Sequence, residues 1–257
     1  MSLGLGLGIN KHRVSGGGFD SDYQAWLDKG TALGYALPSA SQQVTQNQLT
    51  LDLKSSGAFS ILDLFYIWAQ DGDSDMATIN LIDPDNFQAT KVNSPTFTEN
   101  LGFKGNGTNS YINSNFNPVV NAGNYTLNNA SIGGWLYSAY SVGDRIAGYV
   151  TSGNTRLLNR NLSAHRINSG STNADLTGTG LIYANKTSSA NVTLIKNLTL
   201  KSVGTSDLSL VSENLTFFLS QGSLYGDMGM SFGFIGADLS GVNTAFYNSL
   251  NDYLNSI

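Results

Sequence analysis

Three segments, Gly180-Leu181-Ile182-Tyr183-Ala184-Asn185, Val192-Thr193-Leu194-Ile195-Lys196 and Leu198-Thr199-Leu200-Lys201-Ser202-Val203, follow one another with only short polar stretches between them. Each is rich in β-branched and aromatic residues, and the breaks are built from Asn, Ser and Lys. Runs of this length, bounded by turn-forming residues, read as neighbouring β-strands. They are too short and too closely spaced for a helix to lie between them.

The same pattern extends outward over most of the chain. Further strands are predicted at Ile61 to Ala69, Ala77 to Ile82, Phe97 to Phe103, Tyr111 to Asn113, Ser131 to Ser138, Asp144 to Val150, Arg156 to Asn161 and Ala164 to Asn168, and beyond them at Thr216 to Ser220 and Gly229 to Ile235. Many short strands at intervals of roughly 8 to 15 residues indicate a sandwich or jelly roll. A doubly wound α/β fold needs helices of 10 to 15 residues between its strands, and these are lacking.

Helical signals sit only at the two ends. Tyr23, Ala25, Trp26, Leu27 and Leu33 predict a short amphipathic helix, capped by Asp20 or Ser21 and ended at Gly30 or Gly34. A second helix is predicted after Pro38, capped by Ser39 or Ser41 and running towards Lys54. The last helix is predicted over Asp238 to Ile257, with Asp238 or Ser240 as cap and Val242, Phe246, Leu250, Tyr253 and Leu254 as its apolar stripe. Residues 1 to 18 alternate Leu with Gly before Lys11, His12, Arg13 and Gly16-Gly17-Gly18. That arm reads as an extended segment packing on a neighbouring subunit or as a plain tail. The expected division is therefore 1–57, an arm plus two short helices for anchoring or oligomerisation, and 58–257, a sandwich with the C-terminal helix 238–257.

Composition narrows the class of function. Of 257 residues 40% are apolar but only 12% are charged, and 28 Asn with 51 Ser plus Thr must cover the surface. A net charge of -5 supplies no basic footprint for nucleic acid. The absence of Cys excludes disulfides and thiolate chemistry. The Gly-interrupted start lacks the basic region and apolar run of a signal peptide, and no apolar stretch is long enough to span a bilayer. Eight Asn-x-Ser/Thr sequons occur, about as many as this composition produces by chance.

Several phrases stand together: Asp71-Gly72-Asp73-Ser74-Asp75, Asn93-Ser94-Pro95-Thr96-Phe97, Gly102-Phe103-Lys104-Gly105-Asn106-Gly107-Thr108-Asn109-Ser110-Tyr111-Ile112, and Phe232-Gly233-Phe234-Ile235-Gly236-Ala237-Asp238-Leu239 before Phe246-Tyr247-Asn248. On these phrases the stretch from about 97 to 257 resembles laminin-G/concanavalin-A-like jelly rolls. The whole chain is similar to structural proteins of bacteriophages infecting Bacteroidetes such as flavobacteria. The resemblance implies a virion protein, made in the host cytoplasm, that serves as a spike, fibre or decoration protein. It implies a homo-oligomer, with a trimer as first expectation for a spike, with other virion proteins and host-surface polysaccharide as partners. The alternative is a secreted or surface carbohydrate-binding module, or a polysaccharide-degrading enzyme, of the same fold.

Chemistry-bearing residues are few. Glu99 and Glu213 are the only Glu residues, far apart in sequence, so the paired carboxylates of a sandwich glycosidase are missing. His12 and His165 are the only bases for a hydrolase of the serine type, and no Gly-x-Ser-x-Gly elbow accompanies them. The expectation is no enzyme. Asp71, Asp73 and Asp75 alternate as in a calcium loop, yet Met76 and Ile82 stand where an EF-hand needs Gly and Glu. A looser calcium site or a solvated turn remain as readings, and no other cofactor is expected. Apart from Arg13, every Arg lies in one stretch: Arg145, Arg156, Arg160 and Arg166, with His165 beside the last. On neighbouring strands their guanidinium groups would grip anionic sugars, or else pair with Asp144 or Asp175. Trp135, Tyr137, Tyr140 and Tyr149 interleave with them as stacking surfaces, with Trp135 equally suited to the core. The candidate ligand-binding set is Arg145, Arg156, Arg160, Arg166, His165, Tyr137 and Tyr140.

Overall fold

The computed structural model describes residues 18–121, 123–149, 155–160, 163–204, 208–220 and 222–257. The Leu/Gly arm and His12 lie outside the described residues. The chain opens with α1 (Ser21–Leu33), α2 (Ala40–Ser55) and the single turn α3 (Ala58–Ile61). The strands are β1 (Leu62–Ile67), β2 (Thr90–Val92), β3 (Thr96–Thr98), β4 (Gly102–Lys104), β5 (Tyr111–Asn113), β6 (Ala130–Ser138), β7 (Arg145–Tyr149), β8 (Thr155–Leu158), β9 (Ser163–His165), β10 (Thr172–Ala174), β11 (Gly180–Ser188), β12 (Asn191–Lys196), β13 (Thr199–Gly204), β14 (Thr216–Phe217), β15 (Leu219–Ser220), β16 (Leu224–Tyr225) and β17 (Gly229–Gly236), and α4 (Asn243–Leu254) closes the chain.

The fold is a mainly β jelly-roll sandwich. An eight-stranded antiparallel sheet runs β13-β12-β11-β6-β17-β4-β3, and β1 lies beside the far half of β17. A five-stranded sheet, β2-β5-β14-β7-β8, faces it. The larger sheet is covered on both sides, which explains why its strands read as continuous apolar runs. Along β1, Leu64, Tyr66 and the following Trp68 enter the core between the sheets, while Phe65, Ile67 and Ala69 enter a second core under the helices. Residues on β17 and β11 divide in the same way: Ile235, Ile182 and Ala184 face the small sheet, and Phe232, Phe234, Leu181 and Tyr183 face the helices.

The helices belong to this second core. Asp20 caps α1 by accepting from Asp22 N–H, Gly34 ends it in the left-handed region, and Ser39 caps α2. Tyr23, Trp26, Leu49, Leu53, Phe246 and Leu250 are all buried against the sheet. Buried Gln46 joins the layer by accepting from Tyr23 Oη at 2.8 Å and donating to Tyr253 Oη at 3.3 Å. Tyr253 in turn donates to Ala69 O at 2.6 Å.

Four expectations need correction. Ala77 to Ile82 is not a strand: Asp73 Oδ1 accepts the N–H groups of Asp75 and Met76, which winds Met76–Thr78 into a 3-10 turn. The apolar side chains of Ile79 and Leu81 still reach the helix-side core, and Asn80 Oδ1 accepts from Phe65 N, replacing a ladder partner. Phe97 to Phe103 is a hairpin, β3 to β4, turned through Asn100 at φ 60°. Thr216 to Ser220 is broken at Phe218, whose φ of 65° hands the chain from the small sheet to the β15–β16 hairpin. The last helix starts at Asn243, because Asp238 accepts from Ser240 N and Oγ and so caps a turn ahead of the helix. Among the described residues no helix is long and apolar enough to cross a membrane.

Candidate functional site

At one end of the sandwich the β6–β7 connection, the β15–β16 hairpin and the loop after β4 enclose an open groove of about 400 Å³. Tyr140, Val142, Asp144, Arg145, Arg160 and Tyr225 are the side chains that give it its character, with Thr108 and Ser223 at its rim. Loops at sandwich ends are well suited to binding, because the sheets fix their bases while the tips stay accessible.

The wall carrying Tyr140 is held from below. Asp227 Oδ1 accepts from Ser141 N at 2.9 Å and Gly143 N at 3.2 Å, and Oδ2 accepts from Val142 N at 2.8 Å. One carboxylate thus satisfies three successive backbone donors that would otherwise face solvent or remain unpaired. Tyr140 N donates to Asn159 Oδ1 at 3.3 Å, tying the other end of the loop to β8. A Cβ at Gly143 would sit 2.1 Å from Tyr225 O, so only glycine lets the two walls meet there. Tyr140 and Tyr225 are half-buried, and Tyr225 is backed by Tyr111 at 6.3 Å between ring centroids.

Asp144 organises the charge. Its Oδ1 accepts from Arg145 Nη1 at 2.5 Å and its Oδ2 from Arg160 Nη1 at 3.2 Å. The Asp144 and Arg145 side chains are only 9% and 11% exposed, whereas Arg160 is 57% exposed. Burial holds the Arg145 guanidinium below its usual pKa, countered by Asp144 and deepened by the charge of Arg160.

The predicted set is therefore split. Arg145, Arg160 and Tyr140 line the groove together. Arg156 and Arg166 do not line it; their backbones bridge one another, Arg156 N to Arg166 O and the reverse at 2.8 Å, and Arg166 Nε donates to Ser171 Oγ. Tyr137 lies elsewhere, its ring filling the space over Gly229, and Trp135 packs on Tyr247 of α4 at 5.3 Å. His165 is fully buried: Leu158 N donates to Nδ1 at 3.3 Å, and Nε2 pairs with Ala174 O at 3.2 Å. It sits in the core with both ring nitrogens partnered and does not line the groove.

Asp71, Asp73 and Asp75 are occupied with the fold. Asp71 Oδ1 accepts from Ser39 N, Asp73 Oδ2 from Ala36 N, and Asp75 pairs with Lys91 at 2.8 Å. Among the described residues no group of three or more His, Asp or Glu side chains gathers as a metal site would. Glu99 is exposed in the β3–β4 turn and Glu213 is half-buried ahead of β14; neither lines the groove. Asp227 was not legible from sequence, since its partners lie 84 to 86 residues away. Its one local signal is the Gly226-Asp227 pair between β16 and the final strand.

No protein-family model matches the chain, and no curated protein does. Among solved structures it is similar to domain 4 of AbnA, a GH43 extracellular arabinanase from Geobacillus stearothermophilus determined in complex with arabinotriose. The identity is 11% and the TM-score 0.41, over 72% of this chain and 98% of that one. It is also similar to the botulinum neurotoxin serotype D binding domain, at 11% identity and TM-score 0.41, over 77% of this chain and 52% of that one.

Proposed function

We propose that this chain is a binding protein without chemistry of its own, carried on the outside of a bacteriophage particle, and that its end groove takes a host-surface sugar chain. The observation that carries the binding reading is the groove itself: two tyrosines and a guanidinium on walls pinned by Asp227 and Asn159. Aromatic walls offer apolar faces for sugar rings, and rigid loops keep the ordering cost of binding low. Asp144 is the one carboxylate among the described lining residues, and both its oxygens are held by guanidiniums. A glycosidase needs an acid and a base or nucleophile free on either side of the bond. The virion setting rests on the sequence phrases quoted above.

The test is direct binding of host-surface oligosaccharides by calorimetry, with and without Tyr140→Ala. Truncating an aromatic contact at the centre of a site costs more than about 1 kcal/mol, so affinity is expected to fall about fivefold or more. Some loss of thermal stability accompanies it because Tyr140 also packs against the core, and binding is compared below the unfolding transition of the variant. Failure of any host polysaccharide to bind would overturn the reading. Release of reducing sugar by the purified protein would replace it with the enzymatic one.

The same proposal includes a homotrimer joined through the arm. Leu3, Leu5, Leu7 and Ile9 alternate with Gly and have no partner face within their own segment. Tyr23, Trp26, Leu49 and Leu53 of α1 and α2 are needed by the helix-side core, so the arm is the part to remove. Light scattering is expected to give a trimer for the full chain and a smaller species for residues 18–257. A full-length monomer at micromolar concentration would sink the assembly. Such an assembly turns weak single-site binding into firm attachment through avidity.

A further inference from the structure

We propose that Arg160 is an anion-reading subsite of the groove, so that the sugar chain taken there is acidic and presents a carboxylate to this guanidinium. The inference rests on the glycan-binding reading above and narrows it to one class of ligand and one specificity-determining residue.

The geometry begins with Asp144. Its two oxygens are shared out, one to Arg145 and one to Arg160, and almost none of the carboxylate reaches solvent. Two guanidiniums on one carboxylate leave one positive charge in excess. Arg145 is nearly enclosed, while Arg160 keeps more than half its side chain exposed on the groove wall, so the excess is presented through Arg160. A guanidinium carries five N–H donors in a planar fork that matches the two oxygens of a carboxylate. Arg160 spends Nη1 on Asp144, which fixes the direction of the fork without using it up.

Neighbouring groups shape the bias. Arg156 stands on the strand beside that of Arg145, and its pKa is lowered by burial and by the charges of Arg166 and Arg145. Asp227, the other carboxylate close by, keeps its negative charge but sits under the loop with both oxygens on three backbone N–H groups, and it does not line the groove. In a chain with a net charge of -5 the lining of this groove carries two Arg and one Asp. Tyr140 and Tyr225 line the same groove as this guanidinium. A sugar ring lying on a tyrosine therefore has a cation within the same cavity for an acidic substituent, and a neutral sugar leaves that cation with water alone.

The experiment uses the full-length protein and matched pairs of polysaccharides: polygalacturonate, alginate and hyaluronan, each beside its carboxyl-reduced neutral counterpart. Binding is measured at low and high salt for the parent protein, Arg160→Gln and Tyr140→Ala. The expected result is at least a tenfold preference for an acidic member over its reduced counterpart, weakened by salt and lost in Arg160→Gln, with residual neutral binding retained. Arg160→Gln removes one partner of the nearly enclosed Asp144 carboxylate, so a modest loss of thermal stability is expected, and the acidic-to-neutral binding ratio is read at a temperature where the variant is folded. Equal binding of acidic and neutral members, dependent on Tyr140, would overturn the anion subsite and leave the glycan reading standing. An acidic preference that survives Arg160→Gln would also overturn it. Absence of any binding to the panel that Tyr140→Ala diminishes would overturn both.

Discussion

Trp68→Ala is expected to cost about 3–5 kcal/mol of stability, the range for deleting a large aromatic side chain from a packed core. The indole is fully buried between the two sheets and touches four other rings. It stacks on Tyr66 at 6.0 Å with planes 7° apart, meets Phe103 and Phe217 edge-on at 5.9 and 5.1 Å, and lies tilted against Phe218 at 6.0 Å. These partners come from β1, β4 and β14 and from the break after β14, so one ring joins both sheets. The space for it exists because Gly233 of β17 has no side chain: a Cβ there would lie 2.5 Å from the indole. Alanine at position 68 leaves a cavity that strands on either side cannot close without moving the ladder. Set against a total of about 5–15 kcal/mol for a domain, that loss approaches unfolding at the lower end. Trp68→Phe is the control, since indole Nε1 is buried with no acceptor among the described residues. Phenylalanine removes that uncompensated donor along with some volume, so its cost should stay under about 2 kcal/mol. Urea denaturation of the three proteins decides the matter. A Trp68→Ala loss below about 1 kcal/mol would mean that the ring is not the joint between the sheets.

Acidification should weaken the fold through His165. Its ring is buried and held neutral, accepting from Leu158 N and donating to Ala174 O. Burial pushes its pKa down to about 4 against the opposing hydrogen bond to the Ala174 carbonyl, with the charge of Arg156 adding to the fall and Asp144 opposing it least. In the unfolded chain the ordinary value is about 6.5. Between those two values the unfolded state takes up a proton that the folded state refuses. Stability present above pH 6.5 is therefore lost progressively as the pH falls to about 4, and this group adds no further loss below. At about 1.4 kcal/mol per pH unit the total is on the order of 3 kcal/mol. Asp63 works the other way in the carboxylate range, because burial raises its pKa despite the Asn124 and Tyr125 N–H groups it accepts. Denaturation midpoints measured from pH 7.5 to 5 isolate the histidine, and His165→Asn is expected to flatten the slope while lowering the value at pH 7.5. An equal slope in that variant would assign the acid sensitivity elsewhere.

What local sequence determined about this protein is what local physics decides. Asp20, Gly34 and Ser39 punctuate α1 and α2 where they were expected to, because a cap acts on backbone groups within its own turn. The apolar runs along β1, β11 and β17 announced strands, and the mainly β class followed from their spacing. What those runs concealed was their two-sidedness: Leu64, Tyr66 and Trp68 face one core and Phe65, Ile67 and Ala69 the other. Periodicity is erased when both faces are covered, so although the apolar stripe of the last helix pointed to packing on the sandwich, the packing of α1 and α2 on the same face of the large sheet was not visible. The same limit explains Ala77 to Ile82, where apolar residues that satisfy the core wear the pattern of a strand while Asp73 and Asn80 direct the backbone otherwise. For the groove, the clustering of arginines was legible, but its partition was not. Only the β7–β8 register and the packing of distant segments place Arg145 and Arg160 on one carboxylate, bury His165, send Tyr137 to Gly229, and bring Asp227 under a loop 84 to 86 residues away. Those outcomes belong to tertiary structure, because each depends on which distant backbone groups a side chain meets, and no residue carries that information in its neighbours along the chain.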